Sequence, residues 1–293
     1  MNLIFEPVRL EKGTIYLQRL SECANRASDY SFINLWGWAE EYGLQWAWDE
    51  DLVWIQQTMP EPSLWAPIGD WTSIDWSSRL GSVFDLPVVF SRVPESLLSL
   101  WKKTLGSRII IEETRGHWDY LYDYPALIEL RGNRFHKKKN LLKQFQKKYD
   151  HQYVSLGSLT IDRALAMQTD WCTWRDCESY HTLAAENRAI EKVLKNWEAL
   201  AGLVGGSIVV EGQMVAYTVG ERLANDMLLI HFEKGNPEFK GIYQAINQFF
   251  LNHLHHPYQT VNREQDLDDD GLRKAKLSYH PIDFIRKYQV TIS

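Results

Sequence analysis

The sequence is poor in cysteine and has no long apolar run. Its three cysteines, Cys23, Cys172 and Cys177, are odd in number and scattered, which argues against a disulfide framework. No segment approaches the unbroken run of about twenty apolar residues that a membrane-spanning helix needs. The opening residues MNLIFEPVRLEKG include acids and no long apolar core, so they do not resemble a secretory signal. We therefore expect a cytoplasmic protein without a transmembrane segment.

The glycine-rich loops of nucleotide-binding proteins are missing as well, because neither a P-loop nor the motif G-x-G-x-x-G occurs. His253, His255 and His256 have no cysteine or carboxylate close by in the sequence to complete a zinc site, and they suit a helix end. Cys177 and His181 lie four residues apart, whereas a nucleophilic Cys–His pair normally comes from separate elements. We therefore favour structural roles for these residues and expect no bound metal.

An acidic run, Asp266–Gly271, matches the opening D-x-D-x-D-G of an EF-hand calcium loop. The twelfth position of that loop, which requires a bidentate glutamate, is Leu277. Lys274 and Lys276 would also repel the cation. We therefore predict that the acids form a polar turn and cap a short helix that begins near Gly271.

The charge is unevenly distributed along the 293 residues. The net charge is −6, but residues 1–130 carry 10 basic and 19 acidic side chains, whereas residues 131–293 carry 22 and 19. The negative net charge of the whole sequence argues against indiscriminate binding of nucleic acids. The excess of basic residues in the C-terminal half is compatible with binding of one anionic ligand there. Ten of the thirteen tryptophans precede residue 130, where we expect them to pack in the core.

Hydrophobic periodicity predicts a mixed α/β protein with two successive domains. The first domain, residues 1–130, has predicted helices at 14–24 and 94–105, a hairpin at 44–58, and strands at 64–71 and 107–114. A linker of residues 131–150 follows. The second domain, residues 151–293, has predicted helices at 158–172, 180–200, 241–254 and from 271, and predicted strands at 208–223, 226–236, 259–261 and 282–293.

The linker is predicted to be an amphipathic helix with an unusual charge. Phe135, Leu142, Phe145 and Tyr149 fall on one face, while seven basic residues and no acid occupy the rest of residues 132–149. The ordinary interpretation is an exposed helix between domains. The functional interpretation is a helix that binds the phosphates of an RNA or a lipid headgroup.

Two stretches of the second domain combine strand ends, loops and reactive side chains. In residues 232–250, a strand ends in Glu233 and Lys234, and a glycine-containing loop leads into a helix whose first amides could bind a phosphate or polarise a carbonyl. In residues 262–281, basic side chains could hold anions, Glu264 could act as a base and Tyr279 as an acid. A salt-bridged surface loop is the alternative interpretation.

The motifs EKGNPEFKGIYQAINQ, VNREQD and GLRKAKLSYHP, with RGNRFHKKKN upstream, resemble the bacterial DUF2156 family. That family comprises the C-terminal domain of phosphatidylglycerol lysyltransferases and stand-alone relatives, and the match covers about residues 130–290. The resemblance implies two tandem GNAT-like acyltransferase domains joined by a basic helix. It also implies transfer of an aminoacyl group from aminoacyl-tRNA to a lipid headgroup or another hydroxyl or amine. The membrane-embedded domain of the full-length synthases has no counterpart in the sequence.

The resemblance also implies roles for individual residues. Glu264 or Glu233 would take the proton of the acceptor, and Tyr279 would protonate the departing ribose oxygen. Substrate binding would involve Asn262, Arg263, Asp266, Arg273, Lys276, Lys234, Gly241 and Tyr243. Binding of tRNA phosphates would involve Arg134, His136, Lys137, Lys138 and Asn140.

The expected partners are aminoacyl-tRNA, which serves as co-substrate in place of a cofactor, and a lipid headgroup at the inner face of the membrane. Two alternatives stay open on the same fold. The first is an N-acyltransferase that uses acyl-CoA, although the strand–helix junction FKGIYQA has only Gly241 where a pyrophosphate loop usually has two small residues. The second is a GNAT-like protein that binds its ligand without catalysis.

Overall fold

The computed structural model describes residues 3–24 and 26–293 and contains two compact units. The first unit consists of the chain up to Asp119 together with Gln265–Asp270 and Phe284–Ser293, and the second consists of Tyr120–Glu264 and Gly271–Asp283. Both units therefore differ from the predicted continuous domains 1–130 and 151–293. The predicted linker of residues 131–150 lies inside the second unit.

The strands and helices alternate along the chain. The strands are β1 Glu6–Pro7, β2 Gln45–Trp48, β3 Leu52–Gln57, β4 Ser63–Gly69, β5 Val88–Pro94, β6 Ile109–Glu113, β7 Asp119–Asp123, β8 His151–Ser155, β9 Leu203–Val210, β10 Gln213–Ala224, β11 Met227–Gly235, β12 Thr260–Asn262, β13 Asp283–Ile285 and β14 Lys287–Ile292. The α-helices are α1 Gly13–Ser21, α2 Phe32–Gly37, α3 Ala39–Tyr42, α4 Trp76–Val83, α5 Glu95–Leu105, α6 Tyr124–Glu129, α7 His136–Lys148, α8 Ile161–Arg175, α9 His181–Lys195, α10 Ile242–His253 and α11 Asp270–Leu277.

The first unit is built on a seven-stranded sheet in the order β1-β2-β3-β4-β5-β14-β6. The pairs within it are antiparallel except for β4 and β5, which are parallel. The tryptophans fill its core as predicted, since Trp46, Trp54, Trp76 and Trp101 are among the largest fully buried side chains. The predicted final strand is divided, and its second part, β14, lies between β5 and β6.

The second unit is built on the sheet β13-β7-β12-β11-β10-β9-β8, in which β11 and β12 are parallel. Helices α7 and α10 pack together on this sheet, and the predicted apolar face of α7 is buried at Leu142 and Phe145. Gly241, just before α10, has a φ of 88°, and a Cβ there would lie 2.3 Å from the carbonyl oxygen of Leu141. Glycine at this position is therefore explained by backbone conformation and helix packing.

A disulfide bond joins Cys172 and Cys177, whose Cα atoms are 5.0 Å apart. It links α8 to the turn before α9, and the cysteine count did not predict it. Cys177 is buried and its sulfur is covalently bonded, which is inconsistent with a Cys177–His181 nucleophile pair.

An ion cluster lies in the interior of the first unit. Lys287 of β14 is 0% exposed and donates hydrogen bonds to Asp29 and Asp119, the latter at 2.7 Å. Arg92 forms a second ion pair with Asp29, and Ser28 donates to both carboxylate oxygens of Asp119. Burial opposes the ionisation of Asp29, but Lys287 and Arg92 outweigh it and lower the pKa of Asp29 below its ordinary value.

Removal of the central charge of this cluster should destabilise the protein strongly. Lys287→Met would leave Asp29 and Asp119 close together in the interior without the shared cation. We expect the free energy of unfolding, measured by urea denaturation, to fall by about 3–5 kcal/mol. Lys195→Met is the matched control, because Lys195 pairs with Glu191 on the surface, and should change stability by less than about 0.5 kcal/mol. Equal effects of the two substitutions would contradict a central role for the cluster.

Candidate active site

The candidate site of the second unit lies where two parallel strands part. Strand β12 pairs with β11 at three positions, the last of which joins Leu229 and Asn262. Strand β11 continues to Gly235, whereas the chain after Asn262 leaves it. Strand ends that diverge in this way open a crevice in α/β proteins, where ligands commonly bind.

A β-bulge places a histidine beside this opening. Val219 of β10 pairs with Phe232 of β11, but the next residue, Gly220, pairs with Ile230. His231 is therefore the extra residue of β11 and lies outside the regular alternation of the strand. Bulges of this kind redirect one side chain and are common next to active sites.

His231 lies between two carboxylates. Its Nε2 is 3.1 Å from Glu221 Oε1 and its Nδ1 is 3.1 Å from Glu264 Oε1, and its side chain is 0% exposed. When both carboxyl groups are ionised, their oxygens only accept, so both ring nitrogens donate and the ring is an imidazolium ion. Burial opposes this charge, but the hydrogen bonds to Glu221 and Glu264 outweigh it and raise the pKa of His231 to about 9.

The backbone of Glu264 is held in a conformation that non-glycine residues rarely adopt, with a φ of 57°. Asn262 Oδ1 accepts from the Glu264 amide at 2.8 Å, and the Tyr120 amide donates to the Glu264 carbonyl at 3.2 Å. The Lys276 ammonium donates to the carbonyl of Arg263. These contacts fix the direction of the Glu264 side chain, which is 20% exposed.

A second carboxylate, Glu233, lies two residues after His231 on β11. Its Oε1 is 3.1 Å from Arg263 Nη2 and its Oε2 accepts from Asn247 Nδ2 at 3.3 Å. The Arg263 guanidinium lies 5.0 Å from the centre of the Tyr279 ring, and Gln244 donates to the Tyr279 hydroxyl at 3.3 Å. Burial raises the pKa of Tyr279 above its ordinary value, against the opposing effect of Arg263.

Helix α7 contributes one lysine to the same cluster. Lys138 Nζ lies 4.0 Å from the centre of the Tyr279 ring. Burial and the charge of Arg263 lower the pKa of Lys138 to about 8, although Glu233 opposes the shift. The predicted residues Glu233, Arg263, Tyr279 and Lys138 thus come together in space.

Two other predicted substrate-binding residues form a separate cluster. Lys234 follows Glu233 in β11 and therefore faces the opposite side of the sheet. Its ammonium lies 2.8 Å from Glu186 and 3.9 Å from the centre of the Trp171 ring. The Tyr243 hydroxyl donates to the Gly235 carbonyl and accepts from Trp171 Nε1. Lys234 and Tyr243 are thus both engaged with other protein groups.

Burial is at odds with direct substrate contact for two more predicted residues, Asn262 and Asp266, both 0% exposed. Asn262 supports the turn at Glu264, as described above. Asp266 belongs to the first unit, where its carboxylate lies 3.4 Å from Arg115 and accepts from the Asp268 amide at 2.9 Å. The ammonium of Lys276 is likewise engaged with backbone carbonyls, those of Arg263 and Glu264, rather than directed at a phosphate.

The remaining predicted residues lie on α11 and at the start of α7. Arg273 lies on α11 and is half-buried. The predicted phosphate-binding residues Arg134, His136, Lys137 and Asn140 are exposed in and just before the first turn of α7. Asn140 Nδ2 and His136 Nε2 lie 3.0 Å apart on this surface.

Sequence reasoning missed His231 and Glu221. Each is a polar residue within an apolar strand, in the runs MLLIHFEKG and VAYTVGERL. A buried charged residue normally has a partner, so these interruptions were a usable indication of a site. Their pairing with each other depends on the register of β10 and β11, which local periodicity does not reveal.

The first unit has its own parallel pair, β4 and β5, but a side chain bridges the two strands there. The Tyr30 hydroxyl accepts from the Ala66 amide at 3.0 Å and donates to the Arg92 carbonyl at 2.9 Å. A buried phenol therefore occupies the position where the second unit presents carboxylates.

The protonation of His231 should make stability depend on pH. A pKa raised from 6.5 to about 9 contributes stability that is complete below pH 6.5 and is lost as the pH rises through 9. We expect the free energy of unfolding at pH 6 to exceed that at pH 9.5 by about 3 kcal/mol more in the wild type than in His231→Gln. Parallel pH profiles from urea denaturation of the two proteins would contradict a charged His231.

Comparison with known proteins places the chain in a family. The family described as phosphatidylglycerol lysyltransferase, C-terminal, matches residues 21–291. An uncharacterised protein of Mycoplasmoides gallisepticum is 25% identical over 199 residues, which cover 66% of this chain and 61% of the relative's length. The chain thus spans about three fifths of that curated relative.

Solved structures extend the comparison to the fold. A conserved protein of unknown function from Bacteroides thetaiotaomicron has a TM-score of 0.88 and 28% identity, covering 99% of this chain and 100% of that one. The L-PGS structure from Bacillus licheniformis has a TM-score of 0.66 at 12% identity, with 99% and 93% covered. A DUF2156 domain from Agrobacterium fabrum has a TM-score of 0.62 at 11% identity, with 95% and 92% covered.

The predicted fold class, mixed α/β, is confirmed, with one mixed sheet in each of the two units. Among the described residues, every helix is too short or too polar to traverse a lipid bilayer. Because the family match covers most of the sequence, the chain belongs to the family of phosphatidylglycerol lysyltransferase C-terminal domains.

Proposed function

We propose that the protein transfers an aminoacyl group from aminoacyl-tRNA to a hydroxyl acceptor, with the headgroup of a phosphatidylglycerol-like lipid as the first acceptor to test. The observation that carries this proposal is the meeting of Glu233, Arg263, Tyr279 and Lys138 beside the point where β11 and β12 part. Such a site offers bases for an acceptor and cationic groups for a developing oxyanion.

The reaction is an exchange of one ester for another. The acceptor oxygen attacks the carbonyl carbon, and Glu264 or Glu233 takes its proton directly or through water. The bond between the carbonyl carbon and the ribose oxygen then breaks. An acidic group in the part of the site that contains Tyr279 gives the released ribose oxygen its proton. Arg263 lies beside Glu233 and Tyr279 and stabilises the negative charge of the tetrahedral intermediate.

The exposed bases at the start of α7 are the proposed contacts for tRNA. Arg134 and Lys137 project from the surface beside the half-buried Lys138. The aminoacyl ester is at the end of the tRNA, so the last phosphates of the tRNA must come close to the same site. Basic side chains beside the site can bind these phosphates. If the acceptor is a lipid, the protein must also bind peripherally to the inner face of a membrane.

The loop before α10 argues against the alternative in which acyl-CoA is the donor. A CoA pyrophosphate is normally bound by backbone amides at this junction. Here the amides of Asn236, Glu238, Phe239 and Ile242 donate to protein acceptors, which are Val215 O, Asn236 Oδ1, Asn236 O and Phe239 O. Isothermal titration with acetyl-CoA tests this alternative, and a non-catalytic protein would bind charged tRNA without turnover.

Two substitutions test the proposed chemistry. Glu264→Gln should lower kcat by about 10²-fold or more, because an amide cannot take the proton of the acceptor. Tyr279→Phe should lower kcat as well, because it removes the hydroxyl that Gln244 and Arg263 bind. The assay follows labelled lysyl-tRNA, and then other aminoacyl-tRNAs, with vesicles that contain phosphatidylglycerol.

The matched control is Glu191→Gln, a half-buried residue of α9 that pairs with the exposed Lys195. Circular dichroism and urea denaturation establish that each variant is folded. Full turnover by both Glu264→Gln and Tyr279→Phe would remove these residues from the mechanism. Turnover with acetyl-CoA but not with any charged tRNA would favour the acyl-CoA alternative.

The role proposed for α7 predicts a salt dependence. Each phosphate contact contributes about 0.7 to 0.9 to the slope of log affinity against log salt concentration. Lys137→Met should weaken binding of charged tRNA and reduce that slope by about this amount, whereas Lys195→Met should leave it unchanged. Filter binding at several salt concentrations measures the slope, and an unchanged slope for Lys137→Met would place the tRNA elsewhere.

A further inference from the structure

Lys138 differs from the other lysines of α7. It lies three residues after Phe135 and four before Leu142, so it occupies a position on the apolar face of the helix. Lys137, Lys139 and the three lysines of the later turns are exposed, whereas Lys138 is half-buried. A lysine on the buried face of a helix lowers the stability of the fold unless neighbouring groups stabilise its charge.

The surroundings of Lys138 are the candidate active site itself. Its ammonium lies over the Tyr279 ring, and the Arg263 guanidinium lies 5.0 Å from the centre of the same ring. The charged and titratable groups that act on it are Arg263 after β12, Glu233 on β11 and Tyr279 after α11. Because burial and Arg263 lower its pKa to about 8, the ammonium can release a proton near neutral pH.

We propose that Lys138 is a catalytic residue that gives its ammonium proton to the ribose oxygen as that oxygen leaves the aminoacyl group. This inference rests on the proposed function. A bond forms between the acceptor oxygen and the carbonyl carbon, and the bond from that carbon to the ribose oxygen breaks. The acceptor proton goes to Glu233 or Glu264, the ribose oxygen takes the Lys138 proton, and proton exchange through water returns both groups to their starting states.

Tyr279, the residue to which the resemblance assigns this proton, is the weaker donor. Burial raises its pKa, so formation of a phenolate is less favourable than for an ordinary tyrosine. A general acid works best when its pKa lies close to the working pH, a condition that Lys138 meets. Tyr279 then acts as a positioning residue: its ring holds Lys138 and Arg263, and the hydrogen bond from Gln244 to its hydroxyl fixes the ring in place.

Arginine provides the deciding substitution. Lys138→Arg keeps the positive charge and the contact with the aromatic ring, but guanidinium does not release a proton in this pH range. If Lys138 only held phosphate or the ring, arginine would restore activity. If Lys138 donates the proton, Lys138→Arg and Lys138→Met should both lower kcat by about 10²-fold, and arginine should leave KM for tRNA within about threefold.

The experiment measures kcat and KM with lysyl-tRNA and phosphatidylglycerol vesicles from pH 6 to 10. Wild-type kcat should fall above about pH 8, as Lys138 loses its proton, and this fall should be absent from the residual activity of Lys138→Arg. Lys147→Arg, an exposed exchange in the last turn of α7, is the matched control and should keep the wild-type kcat and pH profile.

The outcomes separate this inference from the proposed function. A wild-type kcat and an unchanged alkaline fall in Lys138→Arg would overturn the role of Lys138 while transfer from tRNA stands. A wild-type protein that transfers no aminoacyl group from any charged tRNA would overturn both. Since Lys138→Arg preserves charge and the ring contact, it keeps the test decisive even if Lys138→Met fails to fold.

Discussion

The separation of β12 from β11 after three residue pairs is the constraint on which the candidate site depends. Backbone groups beyond the last pair lose their partners in the ladder and must find others in the interior. Tyr120 and Asn262 provide such partners around Glu264. The same contacts stabilise the left-handed conformation of Glu264, whose carboxylate meets His231.

Each carboxylate of the opening has a cation beside it. His231 pairs with Glu264, and Arg263 pairs with Glu233. Isolated charges in such a place would be very unfavourable, whereas pairs of this kind can persist in a site that excludes most water. In the proposed reaction, these charges would already be in place before a substrate enters, and little reorganisation would be needed during transfer.

Local periodicity predicted the elements whose partners lie nearby in sequence, such as α10, the β9–β10 pair and the buried face of α7. It did not predict that β14 lies between β5 and β6, because that pairing joins segments far apart in the chain. The candidate site, too, could be predicted only in part from local sequence. Glu264 and Arg263 were identified from the motif, but Asp266, only two residues after Glu264, is buried in the other unit. His231 was missed because a register shift, rather than a sequence motif, gives it its position.

The position of β14 has a consequence for the order in which the protein folds during synthesis. Lys287 and its partner Asp29 are separated by 258 residues, and the sheet of the first unit stays divided until β14 arrives. The last strand in the sheet of the second unit, β13, ends at Ile285, before β14 begins. On the ribosome, the unit that begins first is therefore the one that is completed last. Until β14 is made, β5 has only β4 as a neighbour among the described strands, and β6 has no partner strand among them.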